Sequence, residues 1–163
     1  ANNGCSELPY GIQRDLPVAD LTQFGFSICH QSNYNQSNIA LSDLLMGCVG
    51  DELIMACRPT GSDTLTLAAG GARPEVLTDV GDGREASNES NGAAFYYDDN
   101  SSIGFAPVGA EISRSRCDNS DNGPDNGEER LCWRTSNGNL DSGYRCGQNR
   151  TYSSGWERVI MVR

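Results

Sequence analysis

The sequence predicts an all-β fold, a β-sandwich or barrel-like antiparallel domain that is stabilised by disulfides and carries one short helix. Short apolar runs of strand length recur along the 163 residues. Clusters of Gly and Asn separate these runs, as turns between strands require. Seven cysteines occur without any Cys-x-x-Cys pair, which favours disulfides over a zinc site. A chain of this length is expected to form one globular domain.

Nine apolar runs predict the strands. They are residues 25–31, 52–58, 64–69, 75–80, 93–97, 102–108, 130–135, 143–147 and 157–163. The run ELIMACR at 52–58 is almost continuously apolar, which is typical of a central strand buried on both faces. Asn-Gly pairs at 91–92, 122–123, 126–127 and 137–138 favour two-residue hairpin turns, because Asn and Gly tolerate positive φ.

One helix is predicted near residues 38–47, with Ser37 or Asn38 as its N-cap. Its apolar residues fall on one broad face: Ile39, Leu41, Leu44, Leu45 and Cys48. Gly47 and Gly50 are expected to end the helix and to turn the chain into the central strand.

Residues 1–23 are irregular and contain two prolines, so they are predicted to form an extended N-terminal arm that carries Cys5. Residues 24–163 are predicted to form the single β domain. Such an arm can join a neighbouring copy, or it can lie across its own domain, fixed there by Cys5. Cys5 is accordingly expected to be a free thiol or an intermolecular bridge.

The pairing of the other cysteines stays open at this point, because six cysteines allow fifteen connectivities. Cys117 and Cys132 flank a loop of fourteen residues between two predicted strands, and closing such a loop stabilises by ~3 kcal/mol. We expect these two to pair. The remaining four lie in or beside core elements, and the favoured division is Cys29 with Cys48 and Cys57 with Cys146.

The compartment is predicted to be extracellular, secreted or at the cell surface. Disulfides belong to oxidising compartments, and the start at Ala1 fits a chain from which a signal peptide has been removed. Four N-glycosylation sequons point the same way, at Asn35, Asn88, Asn100 and Asn149.

Charge and hydropathy disfavour two classes of partner. The chain has twelve Arg, no Lys and 22 acidic residues, with a net charge of −10, so it is expected to repel nucleic acid. No apolar run approaches the ~20 residues that a membrane-spanning helix needs, so no membrane span is expected.

The loop after Cys117 matches part of a calcium-binding pattern. Positions 1, 3, 5, 6 and 12 of that pattern are Asp118, Ser120, Asn122, Gly123 and Glu129. Calcium takes about six to eight oxygen ligands, and this spacing lets alternate side chains converge on one ion. A proline at position 7 and the absence of flanking helices favour the alternative, a solvated acidic loop. The metal hypothesis names Asp118, Ser120, Asn122 and Glu129 as ligands.

Catalysis is not expected. His30 is the only histidine, and its neighbour Cys29 points to the opposite face of the predicted strand, so the two do not form a nucleophile pair. Neither a Gly-x-Ser-x-Gly nor a His-Glu-x-x-His motif occurs. Adjacent acids such as Asp51 with Glu52, Asp98 with Asp99 and Glu128 with Glu129 are typical of solvated turns rather than of a glycosidase pair.

Several aromatic residues offer a sugar-binding platform as an alternative to packing in the core. They are Tyr96, Tyr97, Phe105, Trp133, Tyr144, Tyr152 and Trp156. Trp133 adjoins a cysteine and is expected to be buried, whereas Trp156 adjoins Ser and Gly and is expected to be exposed.

Two segments, ACRPTGS with Cys57 and SGYRCG with Cys146, carry a resemblance that extends over residues 24–162. In them the chain resembles a group of secreted, cysteine-bearing β domains of aquatic bacteria and protists. The resemblance implies an extracellular disulfide-bearing module and assigns no reaction, ligand or functional residue.

Together these features predict a non-enzymatic extracellular structural protein, a glycosylated subunit of a filament, matrix or adhesive surface assembly. Its partners are expected to be copies of itself, joined through the N-terminal arm. The alternative is an extracellular carbohydrate-binding module that binds glycans, with calcium as a cofactor.

Overall fold

The structure, a computed structural model, describes residues 8–81 and 87–163. Two antiparallel sheets pack face to face, which confirms the predicted all-β sandwich. The first sheet has five strands in the spatial order β1 (Gln13–Pro17), β5 (Thr64–Ala72), β4 (Glu52–Pro59), β12 (Trp156–Val162) and β2 (Ser27–Asn33).

The second sheet has seven strands. Six lie in the order β11 (Asn149–Arg150), β10 (Asn139–Cys146), β9 (Leu131–Ser136), β8 (Ser102–Pro107), β7 (Ala93–Tyr97) and β6 (Asn88–Ser90), and the short β3 (Ile39–Ala40) also pairs with β10. The helical segments are α1 (Val18–Gln23), α2 (Leu41–Gly47), α3 (Arg73–Val76) and a 3-10 turn at Arg114–Arg116.

The main core lies between the two sheets. Leu53 and Met55 of β4 meet Phe95, Phe105 and Trp133 of the second sheet, and all five are buried. A second cluster covers the outer face of the first sheet, so β4 is buried on both sides, as its apolar run predicts. Burying this much apolar surface is the main stabilising contribution to such a domain.

Three disulfides link elements of the domain, and one of them joins the two sheets. Cys29–Cys48 ties β2 to the end of α2, Cys57–Cys146 joins β4 of one sheet to β10 of the other, and Cys117–Cys132 ties the 3-10 turn to β9. These are the pairs that the sequence favours. Cys5 lies outside the described residues.

Two of the four Asn-Gly pairs form the predicted hairpin turns. Asn91-Gly92 joins β6 to β7 and Asn137-Gly138 joins β9 to β10, with positive φ at all four residues. Two consecutive positive φ values match the right-handed twist of the flanking strands. The pairs at 122–123 and 126–127 lie within the loop that precedes β9 and join no strands.

Residues 8–23 lie across their own domain, the alternative that the sequence left open, rather than forming an arm that extends away from it. β1 pairs with β5 in register from Gln13 with Ala68 to Pro17 with Thr64, and the side chain of Leu21 in α1 is fully buried. The apolar residues of this segment are sparse, but they suffice to cover the outer face of the first sheet. Residues 8–23 therefore belong to the domain.

One predicted helix and one predicted strand need correction. α2 begins at Leu41 rather than at residue 38, because Ile39 and Ala40 pair with β10 instead. The run at 75–80 is not a strand: Pro74 stands at the start of α3, and Val76 packs into the core from that helix. Proline favours a first helical turn because its φ is already fixed there.

Candidate functional site

Strand β2 forms an open edge of the first sheet. It pairs with β12 on one side, and no described strand pairs with its other side. Its sequence, SICHQSN, contains neither proline nor an acidic or basic residue apart from His30. Ser27, Ile28 and Gln31 are exposed. An edge strand of seven residues without charge is a ready template for pairing with another strand.

His30 adds no charge to this edge at neutral pH. Burial, and then the positive charge of Arg158, lower the pKa of its imidazole to about 4. The Nε2 atom lies 2.8 Å from Ser32 Oγ, which also accepts a hydrogen bond from Arg158 at 3.0 Å. Because a guanidinium only donates, the Ser32 oxygen is the acceptor in its hydrogen bond with Arg158. The buried Ser32 thus provides a hydrogen-bond acceptor for the buried Arg158.

Exposed apolar side chains flank the Cys29–Cys48 bridge, which holds α2 beside β2. Ile28 precedes Cys29, and Met46 and Val49 lie on either side of Cys48; their exposed fractions are 37 %, 78 % and 71 %. Large apolar side chains that remain this exposed next to an open strand edge are typical of an interaction surface. We call β2 with Met46 and Val49 the β2 surface.

The other sheet edges are protected from pairing. β1 contains Pro17 and an Arg14 that forms ion pairs with Glu128 and Glu129 at 2.9 and 3.2 Å. β6 and β11 have only three and two residues, too few for a stable added strand. Natural sheets use charge, proline and short length to prevent unwanted pairing. Among the described edges, only β2 lacks all three. Its one irregularity is a register shift at Cys29, since Ile160 pairs with His30 and Met161 with Ile28.

The predicted calcium ligands contact other groups of the protein. Asp118 is buried against Arg130, Ser120 Oγ accepts a hydrogen bond from the Asn122 amide, and the carboxylate of Glu129 faces Arg14. Among the described residues, no group of three or more His, Cys, Asp or Glu side chains is arranged to hold a metal ion. The carboxylates of Asp118 and Glu129 are thus engaged by arginines, and calcium binding by this ligand set stays a prediction.

Two buried arginines fill the loop instead. Arg130 donates to Asp118 Oδ1 at 2.8 Å, to the Glu111 carbonyl at 2.6 Å and to the Asn122 carbonyl. Burial raises the pKa of Asp118, and the charges of Arg130 and Arg145 oppose that rise. Asp118 and Arg130 are both fully buried, and their ion pair compensates the hydration that each charge loses.

Arg145 is also fully buried and binds the loop from β10. It donates to five oxygens: the carbonyls of Asp118, Ser120, Gly127 and Gly147 and the carboxylate of Asp121. A planar guanidinium with five donors can gather oxygens much as a cation would. One feature of the sequence points to this role. Arg145 directly precedes Cys146, and Arg130 lies two residues before Cys132, so both arginines are next to buried strand cysteines.

Calcium is expected to leave the stability of the oxidised protein unchanged, because guanidinium groups already bind the loop oxygens. Thermal unfolding followed by circular dichroism, with calcium and with a chelator, checks this. Equal midpoints are the expected result. A midpoint that rises with calcium and falls with the chelator would show that the loop binds the ion and would contradict the arginine account.

The sequons differ in accessibility. Asn35, Asn100 and Asn149 are exposed, so a glycan on any of them would extend into solvent. Asn88 is half-buried on β6, and its Nδ2 atom donates to the Glu75 carbonyl at 2.9 Å. A glycan on Asn88 would compete with that contact.

Most of the aromatic platform belongs to the core. Tyr96, Phe105 and Trp133 are buried, and Trp133 donates to the hydroxyl of Tyr34 at 3.1 Å. The remaining four do not form one surface. Tyr144 packs against the exposed Tyr152 with a centroid distance of 6.3 Å, whereas Trp156, expected to be exposed, and Tyr97 are half-buried.

The fold and its edges thus define a disulfide-linked two-sheet β domain with one long strand edge that lacks charge and proline. Comparison with known protein families, curated proteins and solved structures finds no match to this chain. No helix among the described residues is both long and apolar enough to span a membrane.

Proposed function

We propose that this chain is a non-catalytic structural domain of an extracellular assembly, whose copies associate by pairing their β2 strands. The observation that carries the proposal is a β2 edge of seven residues without charge or proline, in a molecule whose other described edges are short, charged or contain proline. In a chain of net charge −10, two copies repel each other except where their surfaces lack charge. The β2 strand is such a surface.

The occupant of the edge is a second copy of β2, because an antiparallel pair is self-complementary. A two-fold axis at His30, the middle residue of the strand, would join two five-stranded sheets into one and place Ile28 of each copy opposite Ser32 of the other. The apolar Met46 and Val49 would extend this contact beyond the strands. Hydrogen bonds along the backbone and burial of these side chains would both favour the pair.

Pairing of β2 alone closes a dimer, so a filament or matrix needs a second contact. An intermolecular bridge at Cys5 would supply it, and that bridge stays a prediction because Cys5 lies outside the described residues. Two different two-fold contacts on one subunit generate an open chain of copies. Three disulfides and the exposed sequons support an oxidising compartment as the place of assembly.

Replacing Ile28 by lysine is expected to abolish this self-association, because the new charge would lie at the paired edge and would lose its hydration when the strands pair. Sedimentation velocity over a concentration series measures the effect. The wild-type protein is expected to shift from monomer to dimer in the micromolar range, and Ile28→Lys is expected to remain monomeric.

Val108→Lys is the matched control. Val108 is a branched apolar residue, 45 % exposed, in the segment after β8, so the substitution changes the charge equally at a distant site. It should dimerise like the wild type. The proposal is contradicted if the wild type stays monomeric at all concentrations, or if both variants behave alike while circular dichroism shows both to be folded.

A further inference from the structure

An open cleft of about 520 Å³ lies at one end of the sandwich, between α2 and the turns that follow β7 and β9. Six side chains line it: Ser42 and Leu45 from α2, Tyr97 and Asp99 from the end of β7 and its turn, Asn137 from the β9–β10 turn and Asn139 from the start of β10. Its size falls within the range of small-molecule sites.

The walls of the cleft are fixed by backbone hydrogen bonds. The amide of Gly138 donates to the Asp99 carbonyl at 2.9 Å, which joins the two turns. The Asn137 amide donates to Asn100 Oδ1 at 2.9 Å, and the Leu41 amide of α2 donates to the Gly138 carbonyl at 2.9 Å. A ligand would therefore meet a preformed surface, which reduces the entropy lost on binding.

The polar groups of the cleft are available to a ligand. Within residues 8–81 and 87–163, no hydrogen bond engages the carboxylate of Asp99 or the hydroxyl of Ser42, and both residues are exposed. The amide of Asn139 makes one long contact, 3.4 Å to the Asn137 carbonyl. The cleft thus offers a charged acceptor, a hydroxyl and two amides beside the ring of Tyr97 and the side chain of Leu45.

The charges of the cleft limit the chemical class of its ligand. No basic side chain lines it and Asp99 is negative, so a phosphate, sulfate or acidic sugar would be repelled. One carboxylate is also too few for a divalent cation, which needs several oxygen ligands of high charge. A neutral molecule with many hydroxyls and one apolar face matches both the polar groups and the apolar wall.

We propose that this cleft binds a neutral saccharide. Sugar hydroxyls would donate to Asp99 and exchange hydrogen bonds with the amides of Asn137 and Asn139. The apolar face of the ring would pack on Tyr97 and Leu45. The cleft is separate from the calcium loop, and binding there does not depend on pairing of β2. Glycan binding and self-association are therefore two independent properties of the molecule.

Binding of neutral and acidic oligosaccharides to the oxidised, unglycosylated full chain tests the proposal, first on an array and then by titration calorimetry with the best ligand. Asp99→Asn removes the charged acceptor with little change in shape. It is expected to weaken binding by about 10- to 100-fold, as loss of a charge-assisted hydrogen bond does. Ser42→Trp is expected to abolish binding by filling the cleft.

Asp43→Asn is the matched control, because Asp43 is an exposed acid of the same helix and does not line the cleft. It should bind like the wild type, and so should the monomeric Ile28→Lys variant. The proposal is overturned if no neutral oligosaccharide binds, if only acidic or cationic ligands bind, or if Asp99→Asn and Asp43→Asn have equal effects in folded protein.

Discussion

Replacing Arg145 by methionine is expected to lower the free energy of unfolding by about 4–5 kcal/mol. The substitution keeps the apolar stem and removes the guanidinium that satisfies five oxygens in a fully buried position. Each buried carbonyl left without a donor costs about 1–3 kcal/mol, and partial entry of water offsets some of the sum. Urea unfolding followed by tryptophan fluorescence measures the loss.

Arg134→Met is the matched control, because Arg134 lies exposed on the neighbouring strand β9. We expect that variant to change the free energy by less than about 0.5 kcal/mol. Arg145→Lys should fall between the two, since it keeps the charge but loses the planar fork. A loss at Arg145→Met no larger than at Arg134→Met would refute the role given to this arginine.

Removing the Cys57–Cys146 disulfide is expected to destabilise the protein more than removing either other bridge. Its two cysteines are 89 residues apart, and in the chain-entropy model closing such a loop contributes about 4.5 kcal/mol. The bridge also holds the two sheets together at the centre of the core. The double variant Cys57→Ala with Cys146→Ala tests this by urea unfolding of the oxidised protein.

The Cys117→Ala, Cys132→Ala double variant is the control, because these cysteines are equally buried but only 15 residues apart. The same model gives that bridge about 3 kcal/mol, so a difference of about 1.5 kcal/mol is expected between the two variants. Equal losses, or a larger loss for the shorter loop, would show that loop length does not set the contribution of these bridges.

The sandwich was predictable because local signals agree with the final packing. ELIMACR is apolar on both faces of its strand, and β4 is buried on both faces. The Asn-Gly pairs at 91–92 and 137–138 stand where two apolar runs meet, and both form hairpin turns. In these segments a few neighbouring residues are enough to determine the structure.

The remaining differences between prediction and structure arise in segments whose conformation depends on contacts with residues far away in the sequence. Residues 13–17 have no strong strand signal, yet β5 accepts them as an edge strand. The spacing of acidic residues after Cys117 does resemble a calcium loop, but Arg145 reaches that loop from 18 residues beyond Gly127. Sequence spacing shows which oxygens can converge, whereas tertiary packing determines which cation they meet.

The candidate surface was only half predictable. The run GFSICHQ indicates a strand, and β2 covers residues 27–33. Its place at the edge follows from the order of strands in the sheet, which no pattern within the run contains. Its significance depends on the protection of the other edges, and that comparison requires the whole topology.

Hydrogen–deuterium exchange of the β2 amides at low and high protein concentration tests the self-association of this domain most directly. If copies pair along β2, the amides of residues 27–33 that face away from β12 will exchange more slowly as the concentration rises, while those of β1 will not change. The Ile28→Lys variant will show no such dependence. Exchange in β2 that is independent of concentration in the wild-type protein would contradict the account.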